Sequence, residues 1–157
     1  MSEELLLTLL NSTPMINGVR TDILALDIDD QATLRAGRDL IQAVVRGDLP
    51  PSALAPLLEG VASHPSITED GRLAWTVHAS KARALLVRVI SAWDEVRRTR
   101  PGRLRPCAND DCTLFLLDRS RSNSARWCSM ATCGNKLKAR RHYRRTRHQA
   151  SSHTGDL

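Results

Sequence analysis

The sequence predicts an α+β protein in two units: a mostly helical N-terminal domain, then a small cysteine-bearing module that ends in a basic helix. Three observations carry this. Apolar residues recur at helical spacing over 34–45 and 82–96, while Leu73, Trp75 and Val77 alternate as in a strand. The four cysteines all fall between positions 107 and 133. Charge divides sharply: Met1–Val96 carries 8 Lys/Arg and 13 Asp/Glu, net −5, whereas Arg97–Leu157 carries 15 and 4, net +11. With 157 residues, 41% of them hydrophobic, the chain has material for one domain and a small appendage, not for a two-domain enzyme.

The boundaries drawn are an N-terminal domain over 1–96, a linker over 97–106 containing Pro101-Gly102, the cysteine module with its helix over 107–148, and a disordered tail over 149–157. Leu5–Asn11 is an apolar, strand-compatible run. Pro14 and Asn17-Gly18 then signal a turn, after which Val19–Leu26 is expected to pair back on it. Asp29 or Asp30 caps a helix whose stripe is Leu34, Ile41, Val44 and Val45, and Gly47 ends it. A second helix starts after Pro50-Pro51-Ser52, carries Leu54, Leu57, Leu58 and Val61, and stops before His64-Pro65. Leu73–Val77 is a strand. From Ser80, Ala82, Leu86, Val89, Ile90, Trp93 and Val96 form a last apolar stripe. Trp75 and Trp93 read as core, His64 as an exposed helix-end residue and His78 as a strand-end one. No apolar run approaches the roughly 18 to 20 residues needed to cross a bilayer, and the N-terminus carries Glu3 and Glu4 instead of a basic leader. A cytoplasmic protein with no membrane partner is expected.

The cysteines form two equal pairs, Cys107 with Cys112 and Cys128 with Cys133, each enclosing four residues and separated by fifteen. Reduced, clustered thiols of this spacing suit tetrahedral zinc, which takes four thiolates in closed structural sites. One structural Zn²⁺ held by Cys107, Cys112, Cys128 and Cys133 is expected. Thr113–Leu117 is strand-like, Ser120–Ser124 is a polar turn, and Ala125-Arg126-Trp127 returns as a second short strand. Knuckle, hairpin, knuckle and helix make a treble-clef-like finger. With four cysteines present, His142 and His148 read as solvated helix residues.

After Gly134-Asn135, residues 136–148 hold seven Lys/Arg and no acidic residue. On a helix Lys136, Arg140, Arg144 and Arg147 share one face, with Lys138, Arg141 and Arg145 alongside. Like charges at this spacing destabilise an isolated helix, so it is expected to depend on the knuckle and on Leu137 and Tyr143 packing inward. A phosphate backbone would relieve the repulsion, and Arg119, Arg121 and Arg126 on the hairpin extend the same surface. The competing reading is a solvated basic tail. Asn135 either contacts adenine or caps the helix and braces the knuckle.

The residues Arg105-Pro106-Cys107 through Cys112, Phe115, Asp118-Arg119-Ser120, Trp127-Cys128-Ser129-Met130 and Cys133-Gly134-Asn135-Lys136 closely resemble the CGNR-type zinc finger of bacterial proteins. Lys136 stands where that motif has Arg, which keeps the charge but loses the bidentate guanidinium. The N-terminal part, through Leu10-Asn11-Ser12-Thr13 and Asp22, is similar to the ABATE domain that accompanies such fingers. The resemblance implies a transcription regulator with a C-terminal DNA-binding finger, and it alone favours DNA over RNA. No nucleophile motif or Gly-rich phosphate loop is present, so no enzymatic activity is expected. The alternative is a small-molecule sensor or enzyme whose chemistry lies in the N-terminal domain, with Asn11, Asp22 and Arg88 as candidate ligand-binding residues and the finger serving stability or protein interaction.

Overall fold

In the computed structural model, which describes residues 2–151, Leu6, Leu9 and Leu10 form the buried face of a helix, α1 (Ser2–Leu10). The run expected to be a strand is therefore helical. Unbranched leucines lose little rotamer freedom in a helix, their spacing puts them on one side, and Glu3 and Glu4 occupy the first turn where the helix dipole favours carboxylates. Asn17-Gly18 does turn the chain, with φ of 50° and 77°, but it joins β1 (Met15–Ile16) to β2 (Val19–Arg20). Val19–Leu26 thus pairs over only its first two residues, and with Met15–Ile16 instead of Leu5–Asn11.

Helix α2 (Gln31–Arg46) is capped as its sequence dictates. Asp30 Oδ1 accepts from Thr33 N–H at 3.0 Å, and Gly47 closes the helix in the left-handed region. Leu34, Ile41 and Val44 are buried and Val45 is half-buried. Gly37 lies mid-helix because α2 crosses close to its neighbour: a Cβ there would meet Leu86 Cδ1 at 2.5 Å. Pro51–Leu58 is a 3-10 helix and not an α-helix. Pro56 inside it has no N–H to give and would clash with the preceding turn of a regular α-helix. Leu54 and Leu57 are buried there, Leu58 is exposed, and Val61 lies beyond the end.

The chain then forms a ribbon, β3 (Ala62–Ile67) antiparallel to β4 (Leu73–His78). His64 consequently sits within a strand and not at a helix end, while His78 does end one. Trp75 is 62% exposed, against the expectation that it is core. The alternation correctly marks a strand, but among the described residues no helix packs extensively over this ribbon. Helix α3 (Lys81–Thr99) follows, its start capped by Ser80 Oγ, which accepts from Arg83 N–H at 3.3 Å. Its face Ala82, Leu86, Val89 and Ala92 packs on α1 and α2 to make the core, and Trp93 is half-buried against it.

The segment 97–106, read in sequence as a linker, contains the last turn of α3, a Pro101-Gly102 turn and strand β5 (Leu104–Pro106). β5 pairs with β6 (Phe115–Leu117), and Phe115, 2% exposed, joins the core cluster. The last helix, α4 (Asn135–Ser151), takes in the first three residues of the expected tail; residues 152–157 lie outside the described residues. Among the described residues no helix is long and apolar enough to cross a membrane.

Candidate metal centre and basic helix

Leu104, Arg105 and Pro106 pair with Leu117, Leu116 and Phe115, so the first cysteine pair occupies the bend between β5 and β6. The partner of Thr113–Leu117 thus precedes the first cysteine, and Ala125-Arg126-Trp127 forms no strand. Polar side chains hold that segment instead. Asp118, buried, accepts from Ser120 N–H at 2.7 Å and Ala125 N–H at 2.8 Å and pairs with Arg105 Nη2 at 2.6 Å. Arg105 Nη2 also donates to the Ala125 carbonyl at 2.5 Å. Ser120 first, then Ala125 and Arg105, hold the Asp118 carboxyl down at about 2, so it is a permanent anion at neutral pH.

Cys128 precedes, and Cys133 lies within, a single π-helical turn, Met130–Gly134, that opens into α4. A side chain at Gly134 would approach the Met130 sulfur at 2.6 Å and the Trp127 ring at 3.1 Å, so the Met130 side chain, 49% exposed, would have to move aside. The four Sγ atoms then lie within 4.8 Å of one another, with Cys112 to Cys128 at 3.7 Å and Cys128 to Cys133 at 3.6 Å. Tetrahedral zinc with bonds of about 2.3 Å places its sulfurs about 3.8 Å apart, whereas a disulfide needs about 2.05 Å.

The donors around the sulfurs fit thiolates. Cys128 N–H points to Cys107 Sγ at 3.4 Å, Leu114 N–H to Cys112 Sγ at 3.5 Å, and Asn109 Nδ2 to Cys133 Sγ at 3.4 Å. Burial pushes the Cys112 thiol up to about 11 and raises that of Cys128 as well. At Cys133 burial works the same way, but the Asn109 amide and the neighbouring thiols outweigh it and lower the thiol. A divalent cation among four such sulfurs displaces their protons, which is the chemistry of a closed structural site. Residues 103–146 match the family model of the CGNR zinc finger. No curated protein matches the chain. The CGNR finger holds one zinc ion through Cys107, Cys112, Cys128 and Cys133; His142 and His148 are exposed on α4 and stand outside this cluster.

The basic residues of the finger divide into three settings. Arg119 lies at the far end of β6 from the first knuckle and pairs with Glu3 of α1 at 3.4 Å. Arg121 is exposed in the polar turn, and Arg126 is exposed with its guanidinium 5.2 Å from the Trp127 ring centre. On α4, Asn135, Lys136, Lys138, Arg140, Arg141, Arg144, Arg145 and Arg147 are all exposed. Lys136 borders a groove between the β1–β2 turn and the first knuckle, and Arg140 pairs with Asp111 of that knuckle at 2.9 Å. Leu137 is half-buried, but Tyr143, expected to pack inward, is 70% exposed. Residues 138–148 are all exposed, so the inward packing expected of Tyr143 is not formed.

Two of the three N-terminal candidates, Asn11 and Asp22, have structural partners. Asn11 Oδ1 accepts from Phe115 N–H at 2.8 Å and its Nδ2 donates to the Phe115 carbonyl at 3.2 Å. Asp22 pairs with Arg38 at 2.9 Å and Arg35 at 3.0 Å. Arg88 stands exposed on α3. The structure also recruits residues that the sequence did not single out. Arg46 donates to the Thr113 carbonyl at 3.1 Å and lies 4.7 Å over the Phe115 ring, while Thr113 Oγ1 donates to the Thr13 carbonyl at 2.5 Å. No local pattern signals these contacts, since 67 and 100 positions separate the partners. Asn109 and Asp118 do lie inside the finger motif, where a short polar residue beside a cysteine or a turn is the available signal.

Proposed function

We propose that this chain is a zinc-dependent DNA-binding transcription regulator in which α4 is the main phosphate-contacting element. One observation carries the reading: from Lys138 to His148 the helix is exposed on every side, and over 136–148 it bears seven Lys/Arg and no acid. Such a helix is polar all round and self-repelling, and beyond its first turn the Arg140–Asp111 pair is exposed and offsets only one of these charges. Phosphates along a nucleic-acid backbone supply the missing charge, and the zinc site holds the helix base in place for them. The resemblance of the N-terminal part to the ABATE domain adds the regulatory role and favours DNA over RNA. The chain is read as a binding protein and not an enzyme, in keeping with the commitment of Asn11 and Asp22 to Phe115 and Arg38.

The test is a titration against random duplex DNA, duplex RNA and an acidic polypeptide over a range of salt concentrations. Duplex DNA should bind most tightly, with log affinity falling linearly in log salt at about −0.9 per phosphate contacted. Replacing Arg140, Arg144 and Arg147 together by Ala should flatten that line while zinc stays bound. An unchanged affinity and slope in that variant would make α4 a solvated tail and end the reading.

A further inference from the structure

The β3–β4 ribbon is a two-stranded sheet on which, among the described residues, no helix packs extensively. The tip, Thr68–Arg72, closes with Gly71 in the left-handed region, and Thr68 N–H donates to the Arg72 carbonyl at 2.9 Å. Counting in twos from that bond makes Ile67–Leu73, Pro65–Trp75 and Ser63–Val77 the pairs without mutual hydrogen bonds. Two consequences follow. Their side chains share one face of the ribbon, and the missing N–H of Pro65 falls on the outer edge of β3, where it obstructs strand addition without harming the ribbon.

That face is apolar apart from Ser63, and its large side chains are exposed. Ile67 is 69% exposed, Leu73 61%, Trp75 62% and Val77 38%. Neither strand contains a Lys, Arg, Asp or Glu, in a chain of which a quarter is charged; the ribbon's charges are confined to its tip. An isolated two-stranded ribbon is only marginally stable in water, so a ribbon of this composition needs a cover. A charge-free face offers nothing to nucleic acid or to a strongly charged protein, but it is complementary to itself about a two-fold axis. Four large side chains at these exposures leave on the order of 500 Å² of apolar area on each chain. Two such faces together hide on the order of 1,000 Å², which reaches the lower limit for a specific interface.

We propose that the β3–β4 face is the dimer interface of this protein, its occupant being the same face of a second copy packed isologously. The association is independent of nucleic acid, and it places two basic helices in one particle.

Sedimentation equilibrium of the full-length, zinc-loaded chain tests this directly. A reversible monomer–dimer equilibrium with a dissociation constant in the micromolar range, about −8 kcal/mol, is expected for an interface at the small end of the size range. Trp75→Glu and, separately, Ile67→Lys should each weaken it at least ~10-fold. Thr76→Glu, on the opposite face, should leave it unchanged. Zinc content and far-ultraviolet circular dichroism report folding of each variant, and because both target side chains are mostly in solvent in the monomer, both variants should retain the fold. A wild type that stays monomeric at several hundred micromolar overturns the proposal. So does a dimer that tolerates both Trp75→Glu and Ile67→Lys, or one that Thr76→Glu weakens as much.

Discussion

Asn11 grips Phe115 by both backbone groups, accepting from its N–H at 2.8 Å and donating to its carbonyl at 3.2 Å. The side-chain amide therefore behaves as an extra strand residue along β6, and it ties the end of α1 to the zinc finger. The same β6 residue places its ring, 2% exposed, in the core built by α1, α2 and α3. The finger is thus attached through a polar bracket and an apolar anchor at one residue.

Asn11→Ala removes the bracket and leaves two backbone groups of Phe115 short of partners, a loss of about 2–3 kcal/mol in stability. Urea unfolding of the zinc-loaded protein measures it. A loss below about 0.5 kcal/mol would mean that water replaces the amide without cost.

Zinc removal should act more locally. Of the finger, Phe115 lies in the core cluster and Leu104 is half-buried against it, both on the strands and not at the cysteines, so α1, α2 and α3 are expected to stay folded when a chelator or Cys133→Ser takes the metal away. α4, which meets the rest of the chain through the Met130–Gly134 turn at its base and the exposed Arg140–Asp111 pair, should melt. Metal analysis should find one zinc per chain in the wild type, and circular dichroism should lose helix corresponding to roughly α4 alone on chelation. Loss of all helical signal would show that the two parts fold as one.

What could be read from the sequence depended on how local the determining interaction is. α2 carries its own start and stop, Asp30 and Gly47, and its stripe repeats over four turns, so it was legible from end to end. The metal site was legible for the same reason, since the spacing of each cysteine pair alone specifies a knuckle. Leu5–Leu10 was not, because a short leucine run suits a strand as well as a helix, and only burial of Leu6, Leu9 and Leu10 against α3 decides it. At Trp75 the alternation identified the strand but not whether anything covers it, which is a property of the whole fold. At Tyr143 the helix was right and its surroundings were not. Asn11 was a ligand candidate, yet its partner lies 104 residues away.

The Asp22–Arg38 pair gives a pH-dependent prediction. Arg38 is 3% exposed, and besides Asp22 it pairs only with Asp39, itself half in solvent, among the salt bridges of the described residues. Burial disfavours the Asp22 charge, but the Leu24 N–H and then Arg38 and Arg35 outweigh it, so the carboxyl is held below its ordinary value of 3.8. A lowered carboxylate stabilises the fold fully above its unfolded-state value, and that contribution is lost as pH falls below it. Asp22→Asn should therefore cost about 2–3 kcal/mol at pH 7 by leaving a buried guanidinium short of its anion. The gap between wild type and variant, measured by denaturant unfolding, should narrow steadily as pH drops below about 4. A gap independent of pH would show that the amide's shape, and not the lost charge, is responsible.

Asp111 makes the last prediction, because its carboxylate both occupies Arg140 and adds a negative charge beside the helix proposed to meet phosphates. The two side chains are 58% and 50% exposed, so the pair should contribute less than about 1 kcal/mol to folding, and Asp111→Asn should barely move the unfolding midpoint. Its effect on binding is expected to be larger than its effect on stability. With the competing carboxylate gone, Arg140 is released to a phosphate, so duplex DNA should bind about 3- to 10-fold more tightly at low salt and the log–log salt slope should steepen by up to about 0.9. Arg144→Ala should move the slope the opposite way by a similar amount, and should weaken all DNA sequences alike, since a phosphate contact carries no base information. A slope that responds to Arg144→Ala but not to Asp111→Asn would place Arg140 off the DNA, on the knuckle side of α4. A slope that responds to neither would remove α4 from the interface.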